Sequence, residues 1–261
     1  MDLGIKDRTY IVTGGSAGIG LGTVTRLVQE GATVAAAARR VPQLEEAMRQ
    51  ADPSGERTLA VPLDMQDEGA AESLYTATLE RFGRVDGVVN NVGTSTRGPF
   101  AEFEEELWRA DLDLKLFSAA RLVRCALPEL RSRGVGSVVN VLSIGGKQPG
   151  AGSLPTSMTR SAGLALTKVL SKELAAEQIR VNAVCVGIIR SEQHDRRRRS
   201  RAPEMTEDDW YAQIGSQRGI PLGRVGEPDE VASTIALLLS DRAGFTSGTA
   251  INIDGAQADV L

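Results

Sequence analysis

The chain has 261 residues, 41% of them apolar and 25% charged, which excludes a disordered chain and allows a sizeable core without disulfides or metals. Thirty basic and thirty-four acidic side chains leave a formal charge of -4, so no attraction to nucleic acid is expected. The two cysteines, Cys125 and Cys185, lie far apart, and His194 is the sole histidine; a disulfide scaffold and a Cys-rich zinc site are excluded, and no metal site is expected.

The opening Met1-Asp2-Leu3-Gly4 carries no leader pattern, and no apolar run is long enough to span a bilayer, so a cytoplasmic setting without membrane attachment is expected. Short apolar runs then alternate with segments of helical period. Tyr10 to Val12 ends a first strand, and a Gly-rich turn leads into a helix that stops at Gly31. Thr33 to Ala38 reads as a strand, Val41 to Ala51 as a helix, Leu59 to Leu63 as a strand, Glu68 to Phe82 as a helix and Val85 to Asn90 as a strand. Glu104 to Arg133 is helical in period, with Pro128 and Gly134 as breakers. Ser137 to Leu142, Arg180 to Val186 and Ala250 to Ile253 read as strands, and Ser157 to Gln178 and Glu227 to Ser240 as helices. Strands alternating with helices argue an α/β fold, a parallel sheet covered on both faces. No repeat or linker divides the chain, so residues 1–261 read as one domain. The polar, weakly periodic stretch 190–217 reads as a lid over a site.

Thr13-Gly14-Gly15-Ser16-Ala17-Gly18-Ile19-Gly20 lies at the first strand-to-helix crossover. Glycines there let backbone N–H groups approach a pyrophosphate that the helix N-terminus stabilises. A ligand-free tight turn is the plainer alternative, but the repeated β-α units around the loop favour a nucleotide. The second strand ends in Ala37-Ala38-Arg39-Arg40 with no carboxylate to chelate ribose hydroxyls. Arg39 suits the 2′-phosphate of NADP(H), with Ser16 as a further contact, while NAD(H) stays possible. Solvated charges at a strand end are the alternative for both arginines.

With Leu63-Asp64, Asn90-Asn91-Val92-Gly93, Ser143, Arg180-Val181-Asn182-Ala183, Ser247-Gly248 and Asp254-Gly255 following in order, the chain resembles the short-chain dehydrogenase/reductase family along nearly its whole length. The resemblance implies a Rossmann-type doubly wound sheet of about seven parallel strands with helices on both faces. It also implies an NAD(P) cofactor, a carbonyl or alcohol substrate, and a homotetramer or homodimer built on the two long helices, whose apolar residues include Leu116, Leu122, Leu164 and Leu170. By resemblance, Gly14, Gly18, Ile19 and Gly20 cradle the cofactor, Asp64 contacts adenine, and Asn91 and Gly93 lie beside it. Gly187 to Ile189 line the nicotinamide, with Ser191 where the family often has Thr.

Active members of that family carry Asn, Ser, Tyr and Lys, the last two four apart on one helix face. Ser143 is in place, but the Tyr position falls on Thr156, the Lys position on Arg160 and the Asn position on Lys115. No tyrosine lies between Tyr75 and Tyr211, so no shifted alignment restores the pair. An aliphatic hydroxyl is a far weaker acid than a phenol of pKa near about 10. Arg160 keeps a positive charge for ribose hydroxyls but does not readily yield a proton. Lys115, Lys147, Tyr211 and His194 are the alternative proton sources, each with a solvated-surface reading beside it, and Ser143 and Thr156 are a candidate hydroxyl pair for a substrate oxygen.

The run Arg196 to Arg201 invites an anion-binding reading. Six arginines and six acidic residues between Arg190 and Asp209 cancel, so an internally paired lid leads, with recognition of a carboxylate, phosphate or coenzyme A group as the alternative. The leading function is an NAD(P)-dependent oxidoreductase for a carbonyl/alcohol pair with an atypical active site. A dinucleotide-binding sensor or scaffold without turnover, and a lyase or isomerase in the same pocket, stand beside it.

Overall fold

A computed structural model describes residues 2–261. Its main sheet has seven parallel strands: β1 (Thr9–Thr13), β2 (Thr33–Ala38), β3 (Thr58–Pro62), β4 (Gly87–Asn90), then, after a short strand β5 (Arg97–Gly98), β6 (Gly136–Ser143), and, after a second short strand β7 (Leu154–Pro155), β8 (Ile179–Val186) and β9 (Ala250–Ile253). Their spatial order is β3-β2-β1-β4-β6-β8-β9. This is the expected Rossmann-type sheet. The connections leave β1 and β4 in opposite directions, so a crevice opens at the carboxyl ends of these neighbours, where such sheets take their ligands.

Helices cover both faces because alternate strand residues point to opposite sides. Tyr10, Val12, Val34, Val89 and Val184 pack against α1 (Gly18–Gln29), α2 (Val41–Ala51) and α9 (Pro228–Leu239) through Leu27, Leu44 and Ile235. Ile11, Ala35, Val88, Val138 and Val181 pack against α3 (Ala70–Phe82) and α5 (Ser118–Arg133) through Leu74, Leu122 and Leu130. The alanines of β2 are weak strand formers, but the strand is hydrogen-bonded on both sides and buried along Val34 to Ala37.

Four segments differ from the sequence reading. The span 104–133 is not one helix: α4 (Glu105–Leu112) passes through a π-helical turn at Asp113–Phe117 into α5. Pro128 does not break α5, which runs on to Gly134 in a left-handed conformation at φ 65°. α6 (Thr156–Glu173) starts one residue early and ends before Gln178. The segment expected to be an irregular lid forms α7 (Glu192–Arg201) and α8 (Glu207–Gln217), the latter capped by the Thr206 hydroxyl, which accepts from the Asp209 N–H at 3.2 Å. β5 and β7 pair antiparallel as a separate two-stranded ladder, which the sequence did not signal.

Candidate active site

At the cofactor end, the site is made mainly of backbone. Thr13 Oγ1 accepts from the Asn91 and Val92 N–H groups at 2.9 and 3.0 Å, while Asn91 Nδ2 donates to the Thr13 and Gly14 carbonyls at 2.9 and 3.2 Å. These bonds tie β1 to β4 at the crevice. A Cβ on Gly20 would lie 2.1 Å from the Gly14 carbonyl oxygen, so only glycine fits. Gly14 and Gly18 sit at φ 71° and 54°, in left-handed backbone open to glycine. Ala17 places no side-chain cap on α1, which leaves the N–H groups of its first turn for an anion, with Ser16 half-buried beside them. Ile19 packs partly into the core.

Arg39 and Arg40 diverge. The Arg39 side chain is 72% exposed and makes only a 3.5 Å contact with Asp64. Arg40 forms a two-pronged bond to Glu192 of α7 at 2.8 and 2.6 Å, which holds the Glu192 carboxyl down to about 2. Of the two, Arg39 is the one whose guanidinium stays exposed.

The segment after β8 is fixed by packing. A Cβ on Gly187 would meet Asp254 Cβ at 2.8 Å, and buried Ile189 forms a single β-bridge with Gly226. Ser191 begins α7, its N–H donated to the Tyr211 hydroxyl at 3.0 Å, and its Cβ lies 3.9 Å from the Cβ position on Gly18. The start of α7 thus lies beside the glycine loop.

At the other end, the site is a buried polar cluster. Lys115 is in the π-helical turn, which offsets it from the register of a continuous helix. Its Nζ is fully buried; it donates to the Asp111 carboxylate and, at 3.0 Å, to Thr156 Oγ1. Burial, then the nearby Arg160 charge, lowers the Lys115 ammonium to about 8, against the opposing pull of Asp111. Asp111 also accepts from the Thr159 hydroxyl at 2.8 Å. The sequence reading missed Asp111 and Thr159; the i,i+4 spacing of Asp111 and Lys115 is the signal that would have found the first.

Two of the expected site residues are already engaged. Thr156 Oγ1 donates to the Thr96 carbonyl at 2.8 Å and accepts from the Thr96 N–H and Lys115, both at 3.0 Å. Its hydrogen-bonding capacity is filled, so it reaches a substrate oxygen only by giving up the Thr96 carbonyl. Arg160 turns into the protein: it donates to the Val141 carbonyl at 3.0 Å, and its Nη2 lies 2.6 Å from where a Cβ on Gly93 would be. Burial lowers its guanidinium below the ordinary arginine value. Its far end thus lies against Gly93, in the segment that follows β4. Behind them lies a cavity of about 10 Å³ among Lys115, Arg160, Asn90 and Asn140, room for one water. Ser143 Oγ is buried without a partner.

The remaining proton-source candidates sit elsewhere. Lys147 donates to the Ala250 carbonyl and Asn252 Oδ1 at 2.7 and 2.6 Å, pinning β9. Tyr211 donates to Asp195 at 2.8 Å, and burial raises its phenol well above the usual range. His194 stacks edge-on against Tyr211, its pKa lowered first by burial and then by Arg197.

Residues 14–256 match the family model described as enoyl-(acyl carrier protein) reductase. The chain belongs to the short-chain dehydrogenase/reductase family of oxidoreductases. A putative ketoacyl reductase of the monensin polyketide synthase from Streptomyces virginiae is 34% identical over 250 residues, covering 95% of this chain and 96% of that relative. The L-sorbose reductase of Gluconobacter frateurii, complexed with NADPH and L-sorbose, superposes with a TM-score of 0.94 at 30% identity, covering 100% of both chains. An NADPH-bound short-chain oxidoreductase of Pseudomonas aeruginosa PAO1, described as containing an atypical catalytic center, superposes at 0.90 with 34% identity over 99% of each chain. Among the described residues no helix is long and apolar enough to cross a membrane.

Proposed function

We propose that this family member is an NADP(H)-preferring oxidoreductase for a small carbonyl/alcohol pair, in which Lys115 supplies the proton that other members take from tyrosine. The observation that carries this reading is the buried Lys115 ammonium, held by Asp111 and Thr156 and lowered to about 8. A group with a pKa near the working pH both gives and takes a proton readily. The glycine cradle and the uncapped α1 N-terminus fit a pyrophosphate, and exposed Arg39 fits a 2′-phosphate. NADPH-bound relatives support the same choice.

When bound, NADPH supplies the hydride for the carbonyl carbon. The chain supplies the rest. Ser143 Oγ, buried and unpartnered, orients the substrate oxygen. Below pH about 8, Lys115 is an ammonium and gives up a proton through Thr156, whose O–H leaves the Thr96 carbonyl as Lys115 replaces its hydrogen. In alcohol oxidation the flow reverses, with Lys115 neutral as base. Asp111 is a positioning residue that keeps the ammonium in place. Residues 190–217 act as the substrate lid, fastened by the Arg40–Glu192 bond.

The filled Thr156 hydroxyl and the inward Arg160 favour a second reading, a dinucleotide-binding sensor without turnover; a lyase or isomerase would use Lys115 as base. One experiment separates them: NADPH and NADH binding, with turnover on a panel of carbonyls and alcohols, in wild type and Lys115→Ala. Turnover that falls by roughly 10²–10⁴ in the variant, with NADPH affinity kept, supports the proposal. Tight NADPH binding without turnover on any member favours the sensor, and full activity in the variant removes Lys115 as the proton source.

Self-association is also part of this reading. Leu122, Leu164 and Leu170 pack toward the core rather than outward. Leu107 on α4, Phe117 in the π-helical turn and Val169 on α6 are instead 45%, 49% and 50% exposed, and they suit pairing of these helices across a two-fold axis. Light scattering at micromolar concentration tests it; a monomer contradicts it.

A further inference from the structure

The charges of the lid cancel in number, but the fold separates them. Arg190 takes Glu207 and Asp208, Arg40 takes Glu192, the Tyr211 hydroxyl takes Asp195, and the Thr206 hydroxyl takes Asp209. Among the described residues, Arg124 on α5 and Arg196, whose charge acts on Glu192, have neither an ion pair nor a side-chain hydrogen bond, and the same is true of a group of four, Arg97, Arg197, Arg201 and Arg218. We propose that these four arginines receive an anionic group of the substrate, so that the enzyme acts on a short oxo or hydroxy compound ending in a carboxylate or phosphate. This rests on the oxidoreductase reading above and names the substrate class it left open.

Three observations bring the arginines together. Arg197 and Arg201 share the face of α7 that carries His194, at spacings of three and seven. Arg197 is close enough to Arg201, Arg97 and Arg218 for their charges, after burial, to depress its guanidinium. Arg97, on β5 directly after Thr96, joins this group to the reaction centre: its Nη2 lies 4.0 Å from the Cβ position on Gly145, and Ser143 Oγ lies 3.4 Å from the same point. The unpartnered, buried Ser143 hydroxyl and an unpartnered guanidinium thus face one space. A substrate oxygen at Ser143 would leave a second oxyanion only a few atoms away at Arg97, with Arg197 above it on the lid.

The chemistry fits an oxyanion. A planar guanidinium offers paired N–H donors that match a carboxylate or phosphate. Like charges gathered without counterions repel each other, and a bound anion relieves that repulsion while drawing α7 onto the opening. Arg190 takes two of the acids from within the segment and Arg40 takes a third from outside it, so none of the three pairs with the run Arg196 to Arg201.

The test is calorimetric titration of the full chain with glutarate and separately with inorganic phosphate, with and without NADPH, in wild type, Arg97→Gln, Arg197→Gln and Arg199→Gln. Arg199 lies on the other side of α7 and donates to the Asp195 carbonyl. The expected result is saturable binding of at least one anion, weakened about tenfold or more in Arg97→Gln and in Arg197→Gln and unchanged in Arg199→Gln, with NADPH affinity and melting temperature kept in all. Glutarate binding ahead of phosphate assigns a carboxylate, and the reverse order a phosphate. Absence of binding by either anion, or equal affinities in wild type, Arg97→Gln and Arg197→Gln, overturns the proposal. Anion binding lost in those two variants without turnover of any carbonyl keeps the anion site and removes the oxidoreductase reading. Turnover of a carbonyl compound that carries a carboxylate or phosphate, with KM unaltered in the same variants, keeps that reading and removes the anion site.

Discussion

The two ends of the cleft are built from different materials. At the cofactor end, backbone does the work: glycines without Cβ atoms, an uncapped helix N-terminus and the Thr13–Asn91 bonds between strand ends. At the reaction end, buried side chains do it: Lys115, Asp111, Thr156 and Thr159 bond to one another away from water. A backbone site depends on local sequence and tolerates change elsewhere. A side-chain cluster depends on several elements at once, here the π-helical turn, α6 and the Thr96 loop. A substitution in the cluster is therefore felt by all of these elements.

The larger expected effects on cofactor binding test the backbone end. Gly20→Val places a side chain against the Gly14 carbonyl, and NADPH affinity measured by fluorescence should fall about a hundredfold, from overpacking of roughly 3 kcal/mol. Affinity kept in that variant would break the comparison. Arg39→Gln should weaken NADPH about tenfold while leaving NADH binding as it was; equal losses for both cofactors would show that Arg39 does not read the 2′-phosphate.

Asp111→Asn probes the side-chain end. Asp111 holds the Lys115 pKa up, so its loss moves the alkaline limb of the reductive pH–rate profile to lower pH. A limb that stays in place would separate Asp111 from the proton donor. The smallest effect belongs to the lid. Tyr211→Phe removes the hydroxyl that holds Asp195 and the Ser191 N–H, at a cost of about 1 kcal/mol and a fall of ~2–4 °C in melting temperature.

The same contrast explains what was legible beforehand. Strand order and the glycine loop are local patterns, periodicity and turn residues, and they appear in the structure within one or two residues of their expected limits. Thr156, Arg160 and Lys115 were found as positions, but their directions were not. Arg160 donates to the Val141 carbonyl on β6 and lies against Gly93 after β4, partners that its own helix does not reveal. The lid was misjudged for a related reason: a net charge of zero says nothing about which acids find partners beyond the segment, and Arg40 is 152 residues from Glu192.

The claim that Lys115 carries the proton is tested most directly by the pH dependence of carbonyl reduction at saturating NADPH, in wild type and Lys115→Met. The lowered lysine is protonated below its pKa, so wild-type kcat should hold at lower pH and fall as pH rises through about 8. That limb should be absent from the residual activity of the variant. The same alkaline limb in Lys115→Met, or a wild-type rate that stays level well above pH 8, would contradict the assignment.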